Sequence, residues 1–172
     1  NTPLTEYLQL ERTDLAVAGV GGIGAAAANG GGAGELVLEG VSGEVTLALL
    51  YWNGIDIEKP ADGYSGGDGD YDEVAVVFDG HPVTGTRVAG GGNNNGWPGS
   101  VDSAALYRAD VTDLVAGSGT YPISGFSDGA GHSTNGVSLI VYYDDGIPAN
   151  DRRVTHIEGL ESNLDLPGTA VA

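Results

Sequence analysis

The chain of 172 residues carries 31 glycines, no cysteine, and 24 acidic against 6 basic side chains, for a formal net charge of -18. That charge opposes phosphate backbones and anionic membrane surfaces, which need clustered Lys and Arg, so no nucleic-acid partner is expected. The lack of cysteine removes disulfides and thiolate-ligated metals, and no apolar run is long enough to cross a membrane as a helix, so no membrane insertion is expected either.

The length suits one domain that buries roughly 70% of the surface of its unfolded chain. Glycine at this frequency without a three-residue period, punctuated by Val, Leu, Ile and Tyr, predicts an all-β domain with many turns. The first residue is Asn1 rather than Met and no signal peptide is present, which predicts a processed, secreted product.

In chain order, Leu4, Glu6, Leu8 and Leu10 alternate with Thr5, Tyr7, Gln9 and Glu11, the period of a strand with a mixed second face. Leu15 to Val20 can continue it, until Gly19, Gly21, Gly22 and Gly24 thin the chain. Ala25 to Ala28 sit between glycines that each cost about 1 kcal/mol in a helix, so this stretch and Asn29 to Gly34 are expected to be loop.

Glu35 to Val41 is a short strand, and Ser42-Gly43 turns into Glu44 to Trp52. The two faces of the latter, Val45, Leu47, Leu49, Tyr51 and Thr46, Ala48, Leu50, Trp52, are both largely apolar, which marks a central strand. A long acidic loop, Gly54 to Asp72, precedes a hairpin of Glu73 to Asp79 and Pro82 to Ala89 joined through Gly80-His81. A second loop, Gly90 to Ser100, carries Trp97.

Ala104 to Ala109 reads as strand. Asp110 then caps a helical turn, Val111 to Val115, closed by Gly117. Thr120 to Phe126, Gly136 to Asp144 and Arg152 to Leu160 are the remaining strands. About nine strands, at most one short helical turn near 110–116 and no long repeat predict a two-sheet β-sandwich of jelly-roll or Ig-like topology.

The strongest local constellation is Asp68, Asp70, Asp72 and Glu73. Carboxylates on alternate residues, with Gly67 before them and Gly69 between them, can turn several oxygens toward one hard cation, so the loop is a candidate Ca²⁺ site. The plainer reading is a solvated acidic loop. Asp144, Asp145 and Asp151, followed by Arg152 and Arg153, read as a turn with surface ion pairs.

Trp97, with Trp52, Tyr64 and Tyr71, is a candidate for stacking on extracellular polysaccharide, against loop anchoring for Trp97 and core packing for Trp52. His81, His132 and His156 lie in a turn, a loop and a strand, and no nucleophile elbow or His-Glu-X-X-His motif accompanies them, so no catalytic residues and no enzyme are expected.

The stretch 14–21 (Asp14-Leu15-Ala16-Val17-Ala18-Gly19-Val20-Gly21), Ala48 to Trp52, Tyr107 to Val115, Gly119-Thr120-Tyr121 and Ser138 to Tyr143 follow one another in an order that resembles a β-sandwich domain of bacterial and archaeal secreted and surface proteins. The resemblance covers roughly 14–160. It implies an extracellular, non-enzymatic module and transfers no catalytic residues.

Residues 1–12 fall outside it, leaving an N-terminal strand ahead of a single sandwich domain, 13–172. The leading expectation is therefore a homopolymeric extracellular filament subunit that assembles head to tail. A donor strand built on Leu4, Tyr7, Leu8 and Leu10 would insert into the neighbouring copy. The plainer reading pairs that strand within its own sandwich. The alternative function is a Ca²⁺-dependent adhesion or carbohydrate-binding module.

Overall fold

The computed structural model describes residues 2–24, 31–57, 71–90, 102–126, 132–149 and 151–160. They form an all-β sandwich of ten strands: β1 (Thr2–Gly21), β2 (Gly34–Leu38), β3 (Glu44–Ile57), β4 (Ala75–Phe78), β5 (His81–Thr84), β6 (Thr86–Gly90), β7 (Asp102–Asp110), β8 (Gly119–Ser124), β9 (His132–Asp144) and β10 (Arg152–Leu160). One 3-10 turn, Thr112–Leu114, follows β7. Asp110 Oδ1 accepts from the Thr112 amide at 3.0 Å and from its hydroxyl at 2.6 Å, but the N-cap position is Val111, which has no side-chain cap, so Asp110 braces the turn from one residue further out than expected.

One sheet runs β2-β8-β4-β5, and the other is hydrogen-bonded in the order β10-β1-β9-β3-β7-β6. Between them lies the main core, in which Trp52 stacks on Tyr107 (5.8 Å between centroids) and Phe78 on Tyr121 (5.5 Å), with Leu36, Leu50, Ile123, Leu139 and Val141 filling the space. β3 lies between β9 and β7, which is the central position its two apolar faces predict.

Two connections differ from the sequence expectation. β2 pairs with β8 and β3 with β9 and β7, so Ser42-Gly43 carries the chain between sheets instead of closing a hairpin. The hairpin of β4 and β5 turns at Asp79-Gly80, with φ of 47° and 77°, one residue earlier than expected. Positive φ at both central residues matches the right-handed twist of the flanking strands.

The expected strand over Pro82 to Ala89 also breaks. β5 ends at Thr84, and β6 crosses to the other sheet. A Cβ on Gly85 would stand 2.4 Å from the Trp52 ring, so the chain turns this corner where no side chain obstructs it.

After β3 the chain re-enters the described structure at Tyr71, which is fully buried. Its hydroxyl shares a 2.7 Å hydrogen bond with Thr134 Oγ1, and its carbonyl accepts from the Tyr107 hydroxyl at 3.0 Å. Trp52 Nε1 donates to the Glu73 carbonyl at 2.6 Å. Trp52 and Tyr71 are thus core residues with satisfied polar ends, and neither presents a stacking face for sugar.

The six-stranded order does not describe one flat sheet. β1 changes partner midway: residues 2–13 pair with β10 and residues 14–21 with β9. In a flat sheet β10 would lie four steps from β7, about 19 Å away at ~4.8 Å per step. Instead Glu158 of β10 contacts Arg108 of β7 at 2.5 Å. Residues 2–13 and β10 therefore form a two-stranded ribbon folded back over the outer face of the sheet, as a third layer.

Candidate functional site: a hinged ribbon over a buried polar cluster

The ribbon turns away from the sheet at Arg12, whose φ of 55° is one of two positive values outside glycine among the described residues. For a residue with a Cβ that conformation costs roughly 1–2 kcal/mol. Just beyond it the buried Thr13 hydroxyl lies between the carbonyls of Asp14 (3.1 Å) and Tyr143 (3.3 Å) and fixes the base of the hinge to β9.

Leu8 stands opposite His156 and Leu10 opposite Val154. These apolar side chains press on Leu49, Tyr51 and Tyr142, building a second cluster separate from the main core. The face that the sequence left without a partner is therefore divided. Leu8 and Leu10 are claimed by the chain's own sheet, whereas Leu4 remains 56% and Tyr7 39% exposed.

Beneath the ribbon sits a cluster of polar groups drawn from five strands. His156, only 9% exposed, meets Tyr142 Oη at 2.6 Å through Nδ1 and Tyr51 Oη at 3.1 Å through Nε2. Tyr51 donates its own proton to Glu158 Oε2 at 2.8 Å, so its oxygen is left to accept. This assigns the relay: Tyr142 donates to Nδ1, Nε2–H donates to Tyr51, and Tyr51 donates to Glu158, around a neutral imidazole.

Arg108 Nη1 donates to both Glu158 oxygens at 2.5 Å, and its guanidinium lies 3.6 Å from the centroid of the Tyr7 ring. That places a cation over an aromatic face. Tyr7 also meets the His156 ring edge-on at 5.9 Å.

Burial sets the ionisation of these groups. Desolvation raises the Tyr51 and Tyr142 hydroxyls above the usual phenol range, and Glu158 pushes Tyr51 further up. Desolvation also lowers the His156 imidazole; the Glu158 carboxylate opposes that shift and the Arg108 cation adds to it. These are neutral tyrosines and a neutral histidine, none of them poised as a nucleophile. What the arrangement does chemically is bind the ribbon to the sheet through mutually satisfied groups.

Charge concentrates on the same attachment. Arg12 pairs with Asp151 (3.0 Å), Arg153 with Glu11 (3.0 Å) and Arg152 with Asp14 (3.8 Å). With Arg108, four of the six basic residues of the chain serve the ribbon or its hinge. The acidic turn after β9 is otherwise satisfied locally, with Asp144 Oδ1 accepting from the Gly146 amide at 2.7 Å and Asp145 Oδ1 from the Ile147 amide at 2.9 Å.

Asp68, Asp70 and Trp97 lie outside the described residues. Of the remaining two members of the acidic constellation, Asp72 is exposed and Glu73 half-buried at the Trp52 anchor. No group of three or more His, Asp or Glu that could hold a metal occurs among the described residues.

The sequence reading missed Tyr51, Arg108, Tyr142, His156 and Glu158 as a set. One signal was available: Val154, His156 and Glu158 alternate along one strand face, which puts an imidazole and a carboxylate where burial is expected. Compared with protein-family models, curated proteins and solved structures, the chain finds no match, and its functional reading rests on this geometry.

Proposed function

We propose that this chain is a structural subunit of an extracellular filament, in which residues 2–11 of one copy leave their own ribbon and pair with β10 of the next. The observation that carries this reading is the separateness of the ribbon. None of the described side chains of 4–13 or 152–160 belongs to the main core, so the strand can depart without unpacking the sandwich. Its pairing with β10 is also irregular, with register shifts at three places, between Thr2 and Thr5, Glu6 and Leu8, and Leu10 and Thr13.

Energetically such an exchange is close to balanced, because the strand makes the same contacts in the neighbour that it gives up at home. Relaxing Arg12 from its left-handed conformation favours the open form, and each exchange leaves another strand free. Contacts passed on in this way do not close on themselves, so they generate a filament. With the hinge straightened, the 20 residues of β1 extend to about 66 Å at ~3.3 Å per residue, enough to project beyond the sheet. The extracellular placement rests on the resemblance of residues 14–160.

The test uses the absence of cysteine from the chain. Gln9 and Thr155 are direct partners across the ribbon. Subunits carrying Gln9→Cys and subunits carrying Thr155→Cys are mixed and oxidised: disulfide-linked dimers are the expected result, and the doubly substituted chain should give a covalent ladder with filaments visible by negative stain. A doubly substituted chain that closes only on itself at every concentration, without filaments, overturns the reading.

A further inference from the structure

We propose that His156 and the two tyrosines that hold it form a proton-sensitive latch on the exchanging strand, closed when the imidazole is neutral and released when it is protonated. The inference rests on the strand-exchange reading and names its regulation. It begins from the hydrogen-bond geometry. Both ring nitrogens are engaged, Nδ1 with Tyr142 at 2.6 Å and Nε2 with Tyr51 at 3.1 Å, so a neutral ring satisfies both contacts as they stand, whereas a cationic one requires the Tyr142 hydroxyl to turn from donor to acceptor.

Adding a proton to Nδ1 puts a donor against the Tyr142 hydroxyl, which must reverse and surrender the hydrogen bond it made. Every strand around the ring contributes a group that faces it, and two of those groups are charged. Arg108 on β7 repels an imidazolium, and Glu158 on β10 attracts it, but both carboxylate oxygens are already engaged by Arg108, and one by Tyr51 as well. β1 contributes the Tyr7 ring and the apolar Leu8, and β3 and β9 contribute the neutral tyrosines 51 and 142. Desolvation is the largest effect on the ring and, with Arg108, outweighs the attraction of Glu158.

The sign follows from linkage. With Leu8 and Tyr7 removed, the ring meets water and regains its ordinary pKa near ~6.5. The closed ribbon holds it lower, so the open form binds more protons. Closure is fully favoured above about pH 6.5 and weakens as the pH falls below that value. A neighbour's strand seated on the same β10 covers the same ring. Acid therefore speeds release of whichever strand is seated, and neutral pH locks the result.

The experiment has two readouts. Hydrogen-exchange protection of β1 amides 4–10, normalised to β3 amides, measures opening within one subunit. Mixed Gln9→Cys and Thr155→Cys subunits, incubated at each pH and then trapped by oxidation at about pH 8, measure exchange. Between about pH 7.5 and 5.5 we expect ribbon opening and exchange each to rise roughly threefold or more while β3 stays protected. The His156→Gln chain, which keeps a donor and an acceptor but does not titrate, should show a flat profile.

In the unsubstituted protein, the His156 ring signal in NMR should titrate with the same midpoint as the loss of ribbon protection. An equal acid response in His156→Gln, a midpoint that departs from the ring titration, or exchange at one rate across the range overturns the latch. Acid-dependent opening with no cross-links between subunits upholds the latch and overturns the filament.

Discussion

The two halves of β1 are one strand by hydrogen bonding and two structures by energetics. Residues 14–21 pair with β9 in unbroken register from Asp14 opposite Tyr143 to Gly21 opposite Gly136, and Ala16 and Ala18 enter the main core. Residues 2–13 pair with β10 through three register shifts and supply Leu8 and Leu10 to a smaller cluster on the outer face. The first half carries the larger side chains, the second the tighter fit. What fixes a strand in place is continuity with the core rather than the bulk of its own residues. The ribbon is also polar at its points of attachment, and hydrogen bonds or ion pairs can be exchanged for equivalent ones on another copy.

That contrast can be broken most directly by placing a charge on each half. Ala18→Asp buries an unpaired carboxylate in the main core at a cost of several kcal/mol and should abolish the cooperative thermal transition of the whole subunit. Leu8→Asp should leave that transition in place and remove only the protection of β1 amides 4–10. A common loss of both in the Leu8 variant would mean that the ribbon is integral to the sandwich.

Next in size is Glu158→Ala, which strands Arg108 and the Tyr51 hydroxyl beneath the ribbon. Breaking a largely buried pair of this kind costs about 3–5 kcal/mol, enough to detach the ribbon while the sandwich stays folded. Limited proteolysis that cuts within residues 2–11 but spares β3 and β9 would be the signature. Unchanged resistance there would assign the attachment to Leu8, Leu10 and Val154 alone.

Arg12→Pro sharpens the hinge itself. Proline holds φ near ~-65° and cannot adopt the left-handed turn, so the closed ribbon should be disfavoured by about 1–3 kcal/mol. Exchange between subunits should accelerate, read as faster cross-linking at the Gln9 and Thr155 positions. Slower cross-linking would show that the hinge has to remain bent in the assembled form.

The smallest effect belongs to the exposed ion pairs. Arg153→Ala should loosen the ribbon by at most about 1 kcal/mol, and the difference should vanish at ~1 M salt, where screening acts over ~3 Å. The same salt screens repulsion between copies that each carry a formal charge of -18, so assembly of the proposed filament should rise with ionic strength.

Much of the fold was legible in local patterns. The two-faced apolar character of Glu44 to Trp52 follows from burial on both sides, and the structure covers one side with the second sheet and the other with the ribbon. Arg152–Leu160 begins and ends as expected because alternation and charge bound it clearly. The break at Gly85 was not legible, since it depends on the Trp52 ring 33 residues earlier in the chain.

The candidate site divides in the same way. Leu4, Tyr7, Leu8 and Leu10 stood out because alternation is a local property. The cluster beneath them did not, because His156 and Glu158 of β10 reach Tyr51, Arg108 and Tyr142 of the sheet only when the ribbon folds back. By itself the sequence determined an all-β sandwich, a central strand at 44–52 and an N-terminal strand with an apolar face of its own. Tertiary structure alone decided where that face rests, because side-chain period states which residues share a side, whereas the partner of that side is chosen by contacts between residues distant in the chain, Leu49, Tyr51 and Tyr142 for Leu8 and Leu10.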